Sequence, residues 1–213
     1  MPRKTKEESD LTRRKILDVA LEVFAEKGYS RTSLREIARR AGFTRGAVYW
    51  HFKNKADVFM ALAEYVEGDS ASAFEEDVAL LESLDDLKRA ICGYLERLET
   101  DERFGTFHRV VEYQSEWAEE LAPLFERNRT ELREFAWWMV AALSHLQGQG
   151  QIDPARDPEK DGATLYVHFM GLYAIWMTDP ELITMTRDAP EQIGKFLAGL
   201  APRVSSEAIG TPS

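Results

Sequence analysis

Thr44-Arg45-Gly46-Ala47-Val48-Tyr49-Trp50-His51-Phe52-Lys53-Asn54-Lys55, directly after Ala41-Gly42-Phe43, is the stretch that decides how this chain is read. Upstream of it Leu34, Ile37, Ala38 and Ala41 fall at i, i+3, i+4 and i+7, the spacing of one buried helix face. Gly42 interrupts that pattern, and a short basic, aromatic and hydroxyl-bearing segment follows. A helix, a glycine-containing turn and a second short helix rich in groups for phosphate and base edges make a DNA-reading helix-turn-helix.

Within the second helix, predicted over about Thr44 to Phe52, Val48 and Phe52 are four apart and can hold the domain core. Arg45 sits at the N-terminal turn, which enters the major groove, and its guanidinium can pair bidentately with guanine O6 and N7. Gly46 and Ala47 lack bulk, so backbone and DNA can approach closely. Thr44 is suited to cap the helix, and its methyl can meet a thymine methyl. Tyr49, Trp50, His51 and Lys55 offer donors for phosphate oxygens, as do Thr32 and Ser33 together with the free N–H groups of the preceding helix. Ser33 and Glu36 have the spacing of a capping box. A basic turn on an unrelated helical bundle is the bland alternative.

Outward from this motif the chain reads as all-α. Helix one is predicted over about Thr12–Lys27, burying Ile16, Leu17, Ala20, Leu21 and Phe24, with Gly28 as its C-terminal cap. A fourth helix runs from Ala56 to about Phe74 and joins the two parts rigidly. Further helices follow over Asp85–Leu98, Phe104–Tyr113 and roughly Ala122–Leu146. Another begins at Asp157-Pro158 as Ncap and N1, and the last near Asp188 to Glu191. Residues 1–10 and 204–213 are expected to fray. Residues 10–55 are expected to form the DNA-binding domain and 56–204 a larger helical domain.

Charge agrees with that division. Among residues 1–60, 14 lysines and arginines face 8 acids, a balance of +6, whereas the remainder carries −16 of the total −10. An acidic body with a basic N-terminal quarter suits a protein of which one end meets polyanionic DNA. No apolar run approaches the length of a membrane span, and Met-Pro-Arg-Lys-Thr-Lys-Glu-Glu lacks a signal peptide's apolar core. The single cysteine, Cys92, rules out an intrachain disulfide and fits a reducing, cytoplasmic location. His108, His145 and His168 lack partners at metal-ligand spacing, and His51 belongs to the DNA motif, so no metal site and no cofactor are expected. Phosphate loops, nucleophile elbows and HExxH motifs are absent, which argues against an enzyme. Acid pairs such as Glu75-Glu76 and Glu119-Glu120 read as solvated helix faces.

Residues 12–60 resemble the TetR family of one-component transcriptional regulators, most closely its multidrug-efflux-repressor, AcrR-type branch. The resemblance is carried by Thr32-Ser33-Leu34-Arg35-Glu36-Ile37-Ala38 through Gly42, then by Thr44-Arg45-Gly46-Ala47-Val48-Tyr49-Trp50-His51-Phe52 and Lys55. It implies a homodimer whose two recognition helices occupy successive major grooves of a palindromic double-stranded operator. It also implies a small-molecule effector that binds residues 56–204, the effector-binding and dimerisation domain, and weakens DNA binding. A change in tilt of the fourth helix would then alter the separation of the recognition helices, which must match one turn of DNA, ~34–36 Å.

Two stretches offer independent support. Leu165 to Met177 is apolar nearly all round and needs burial on more than one face, in its own core or in a four-helix dimer interface. Tyr166, Met170, Tyr173, Phe196 and Leu200 are the candidate interface residues, and Gly171 would permit close approach. Trp137 and Trp138 point away from the Leu132–Leu143 stripe and need a cover. With Phe104, Phe107, Tyr113, Trp117 and Trp176 they could line an aromatic cavity suited to an apolar or planar ligand, in which Glu112 and Glu116 would meet a cationic one. Ordinary core packing is the competing explanation for each of these residues. A constitutive DNA-binding protein without an effector, and a helical-bundle enzyme or carrier, stay open as alternatives.

Overall fold

The computed structural model describes residues 6–68, 78–114 and 119–202. Among these lie nine α-helices and no strand: α1 (Lys6–Lys27), α2 (Leu34–Ala41), α3 (Arg45–His51), α4 (Lys55–Glu67), α5 (Leu84–Thr100), α6 (Glu102–Gln114), α7 (Ala122–Gly148), α8 (Pro158–Thr178) and α9 (Met185–Ala198). The all-α architecture is therefore as the periodicity predicts. No helix among the described residues is long and apolar enough to cross a membrane.

Helix starts follow the capping chemistry, with some corrections. Asp157 caps α8, accepting from the N–H groups of Glu159 and Lys160, with Pro158 at the first helical position. Residues 6–10, expected to fray, are the first turn of α1, where Glu7 and Glu8 lie at the positive end of the helix dipole. Helix α9 starts at Met185, before the predicted Asp188, and contains Pro190. The Asp188 carboxylate makes the earlier start possible by accepting from the Thr184 N–H at 2.7 Å. Helix α4 is described to Glu67; its predicted continuation toward Phe74 lies outside the described residues, as do Glu116 and Trp117.

Two compact units divide the chain, residues 1–72 with 97–130 and residues 73–96 with 131–213. They do not follow the division at residue 55, because the end of α5, all of α6 and the start of α7 are grouped with the N-terminal helices. In the first unit α1 packs against α2, α4 and α6. Phe24, Tyr29 and Phe59 form a ring cluster with centroids 5.0–5.7 Å apart, and Phe107 extends it, 6.0 Å from Phe59. Such ring pairs add ~0.5–1.5 kcal/mol each beyond burial. Phe104 and Phe107, expected to line a cavity, are thus fully buried core. They occupy the apolar face of α6, and core packing is what an i, i+3 pair of rings on that face achieves.

In the second unit α8 packs against α9, and α7 and α8 approach closely at Gly162. A Cβ on Gly162 would stand 2.6 Å from Val140 Cγ2 and 2.9 Å from Val140 Cα, so only glycine fits there without a shift. Beyond this approach Phe135 stacks on Trp138 at 6.0 Å, meets Phe169 edge-on at 4.7 Å and lies 6.3 Å from Tyr166. Tyr94 of α5 closes the chain of rings, 5.7 Å from Phe169.

Candidate DNA-reading site

Helix α2 begins at Ser33, whose Oγ accepts from the Glu36 N–H at 3.3 Å. The capping box is only half formed, because the Glu36 carboxylate is paired with Lys27. Helix α2 ends at Gly42 with φ +74°, in the left-handed region that favours glycine, and Phe43 N–H closes the turn onto the Ala38 carbonyl at 2.9 Å. The chain leaves in the right direction for Thr44 to cap α3, Oγ1 accepting from Ala47 N–H at 3.2 Å. Helix α3 buries only Val48. A helix this short gains little from its own hydrogen bonds, and it depends on its cap, on Val48 and on Phe52.

The outer face is what the sequence predicts for base and phosphate contacts. Arg45 and Tyr49 are exposed one turn apart, with Arg45 Nη2 donating to the Tyr49 hydroxyl at 3.3 Å and the guanidinium 5.1 Å from the ring centre. Trp50 is 83% exposed. A Cβ on Gly46 would meet nothing closer than Thr44 Oγ1 at 4.0 Å, so nothing inside the protein demands glycine there. Ala47 and His51 are half-buried.

Two predicted phosphate donors are used differently. Thr32 is buried, and its hydroxyl donates to the Gly28 carbonyl at 2.8 Å. Its backbone N–H goes to the Tyr29 carbonyl at 3.1 Å, so Thr32 builds the turn before α2 and cannot reach a phosphate. Lys55 Nζ donates to the carbonyls of Tyr29 and Ser30 at 2.9 and 3.4 Å and lies 4.0 Å from the Tyr29 ring centre. That leaves one N–H for a phosphate. Partial burial lowers the Lys55 pKa, against the opposing pull of Glu120.

Glu120, read from sequence as a solvated acid, accepts the Tyr29 hydroxyl at 2.6 Å. Burial and that carboxylate push the phenol well above its ordinary range. The sequence reading also missed Arg13 and Lys15 of α1, whose cations lie 5.4 Å from the ring centres of Phe52 and Phe43, the residues on either side of α3 and its cap. Asn54 caps α4 by accepting from Asp57 N–H at 2.8 Å. The Asn-x-x-Asp spacing could have signalled this.

The residues predicted for ligand contacts belong to both units. Glu112 and Tyr113 are exposed in the first unit. In the second, Trp138 joins the Phe135 ring cluster, Trp176 is buried and Trp137 is 69% exposed. A groove of about 410 Å³ in this unit is lined by Asp85, Lys88, Arg89, Cys92, Gly93, Glu96 and Pro190, and contains none of the predicted aromatics. Burial raises the Cys92 thiol to about 11, with Glu96 adding to the effect.

Of the candidate dimer residues, one needs correction. Leu200 is 1% exposed, and its carbonyl accepts from the Asp153 N–H at 2.9 Å, so it belongs to its own chain's core. Tyr166, Met170 and Tyr173 are half-buried, Tyr166 turned toward Phe135. Outermost on α8 stand Val167, 66% exposed, and Ile175, 42% exposed, with the exposed Gly171 between them. These exposed residues lie beside the half-buried candidate positions on α8. Phe196 of α9 is half-buried beside His168, ring centres 5.1 Å apart.

Comparison with known proteins supplies the context for this geometry. Residues 16–62 match the family described as "Bacterial regulatory proteins, tetR family". The HTH-type transcriptional regulator AcrR of Shigella flexneri is 31% identical over 199 residues, 92% of this chain and 93% of the relative. Among solved structures, NalD, the secondary repressor of the MexAB-OprM multidrug efflux pump in Pseudomonas aeruginosa, matches with TM-score 0.75 and 32% identity. That match covers 91% of this chain and 98% of NalD. A SmeT–triclosan complex matches with TM-score 0.76 and 30% identity, over 95% of this chain and 99% of SmeT.

Proposed function

Because the chain belongs to the TetR family of bacterial regulatory proteins, we propose that this transcriptional regulator represses by binding a palindromic operator as a homodimer and leaves it when a small apolar or aromatic effector binds. The observation that carries the DNA half of this reading is the outer face of α3. Arg45, Tyr49 and Trp50 are exposed on a helix held in place by the Thr44 cap and Val48. Arg45 is free to exchange its single contact with Tyr49 for a guanine edge. The Tyr49 hydroxyl, the Trp50 indole N–H, the Ser33 hydroxyl and the remaining Lys55 N–H are donors for the flanking phosphates.

The homodimer rests on Val167, Gly171 and Ile175. An exposed apolar stripe on a helix that is already buried on its opposite side is a surface for a second copy. Gly171 has no atom within 4 Å of where a Cβ would stand, leaving room for a partner helix. Residues 10–55 then act as the DNA-binding domain and 56–204 as the effector-binding and dimerisation domain. Tyr94, Trp138 and Tyr166, half-buried around the buried Phe135 and Phe169, supply the aromatic surface for an effector. Such a molecule releases the operator only to the extent that it prefers the non-binding conformation, and the operator must weaken effector binding by the same factor. Binding to chromosomal DNA makes the protein cytoplasmic in this reading.

Selection of bound sequences from a random duplex pool, followed by salt titration of the winner, tests the proposal. A palindrome bound at least about 10³-fold tighter than random DNA, with a steep salt slope, is the expected result. Enrichment of no sequence would sink it.

A further inference from the structure

Three arginines from three successive helices converge on the last turn of α4, at the consecutive residues Tyr65, Val66 and Glu67. Arg127 of α7 pairs with the Glu67 carboxylate at 2.5 Å. Arg103 of α6 donates to the Tyr65 hydroxyl at 2.8 Å, its guanidinium carbon lies 4.8 Å from that ring's centre, and it stands 3.3 Å from Asp18 of α1. Arg97 of α5 donates to the Val66 carbonyl at 3.4 Å while its Nε is held by Asp101 at 3.1 Å.

Stability alone is a weak reason for this convergence, because part-exposed ion pairs of this kind contribute little. Position is a better one. The last carbonyls of a helix carry partial negative charge and lack intrahelical partners, so guanidinium groups are favoured there. Three contacts from three different helices fix the end of a rod in more than one direction. At the other end of α4, Lys55 and the Asn54 cap hold the helix beside the recognition segment. The 13 residues of α4 make it roughly 20 Å long, and a tilt of about 10° moves one end by roughly 3.5 Å, close to one base-pair step. Polar contacts of marginal strength can exchange during such a tilt, whereas the Phe59–Phe107 core contact cannot open without exposing both rings to water.

We propose that Arg97, Arg103 and Arg127 are positioning residues that set the attitude of α4, and through it the spacing of the two recognition helices on the operator. This rests on the dimeric-operator reading above. The test is a panel of duplexes carrying the selected half-sites with the spacing changed by up to about two base pairs either way. It is run on the wild type, Tyr65→Phe, Arg127→Gln and the charge-exchanged pair Glu67→Arg with Arg127→Glu, each checked by thermal melting. Wild type is expected to prefer one spacing about tenfold over its neighbours. Tyr65→Phe, which removes a single hydroxyl, and Arg127→Gln should flatten that preference to about two- or threefold without changing affinity for random DNA. The charge-exchanged pair should restore much of it. Folded variants that keep the full preference, or a loss that the exchanged pair does not restore, would overturn the inference. A wild type with no spacing preference would remove the dimeric-operator reading, and this inference with it.

Discussion

Helices α3 and α8, proposed to meet DNA and a second copy, turn their outer faces to solvent by opposite means. Helix α3 is seven residues long, buries one side chain and shows solvent an arginine, a tyrosine and a tryptophan whose spacing alone suggests their task. Helix α8 has 21 residues, buries seven of them and still leaves Val167 and Ile175 exposed. In the first helix residue identity carries the function. In the second the rotational register would decide the proposed interface, since apolar residues occur on every side.

The largest effect should come from breaking the α8 face. Val167→Glu, left unpaired between two copies, should cost on the order of 3–5 kcal/mol of dimer stability, a rise in dissociation constant of roughly 150- to 5,000-fold, read by sedimentation. The monomer should keep its fold. A dimer of unchanged affinity would move the interface elsewhere, and Leu200→Ala should instead lower thermal stability with little effect on assembly.

The next largest concerns the core of the first unit, where burial, assisted by Arg97, lowers His108 from an ordinary 6.5 to about 4. Between those values the unfolded chain binds a proton that the folded chain refuses. Stability is therefore full above about pH 6.5 and falls by about 3 kcal/mol as pH drops toward 4. Denaturant melts of wild type and His108→Leu across that range should diverge as pH falls. Parallel curves would mean that another group titrates.

On the α3 side, Arg45→Ala should cost ~1–3 kcal/mol on the operator and relax discrimination at one base position. An equal loss on random DNA would make Arg45 a phosphate contact. The smallest effect on the fold belongs to Gly46→Ala. With no internal obstacle within van der Waals distance, the fold should gain up to ~1 kcal/mol, while operator binding weakens if the backbone meets DNA there. Unchanged operator affinity in a more stable variant would exclude that close approach.

These predictions follow the line between what was and was not legible beforehand. The helix-turn-helix could be read because its determinants are local. Thr44 caps a bond three residues away, Gly42 supplies a backbone angle at a single position, and the buried face of α2 repeats within two turns. Thr32 and Lys55 were only partly legible, because the carbonyls of Gly28, Tyr29 and Ser30 compete with phosphate for the same donors. Nothing in linear spacing pairs Arg127 with Glu67, 60 positions away, or Phe59 with Phe107.

By itself, the amino-acid sequence determined the all-α class, the Thr44 and Asp157 caps and the chemistry of the recognition helix, since each arises from interactions within a few residues along the chain. Only the tertiary structure decided that Phe104 and Phe107 are core, that Val167 and Ile175 face outward, and that three arginines meet at the end of α4. Those outcomes depend on which helix face packs against which neighbour. A rotation of one residue, ~100° about a helix axis, exchanges a core position for a surface one while leaving the apolar pattern of such a helix almost unchanged.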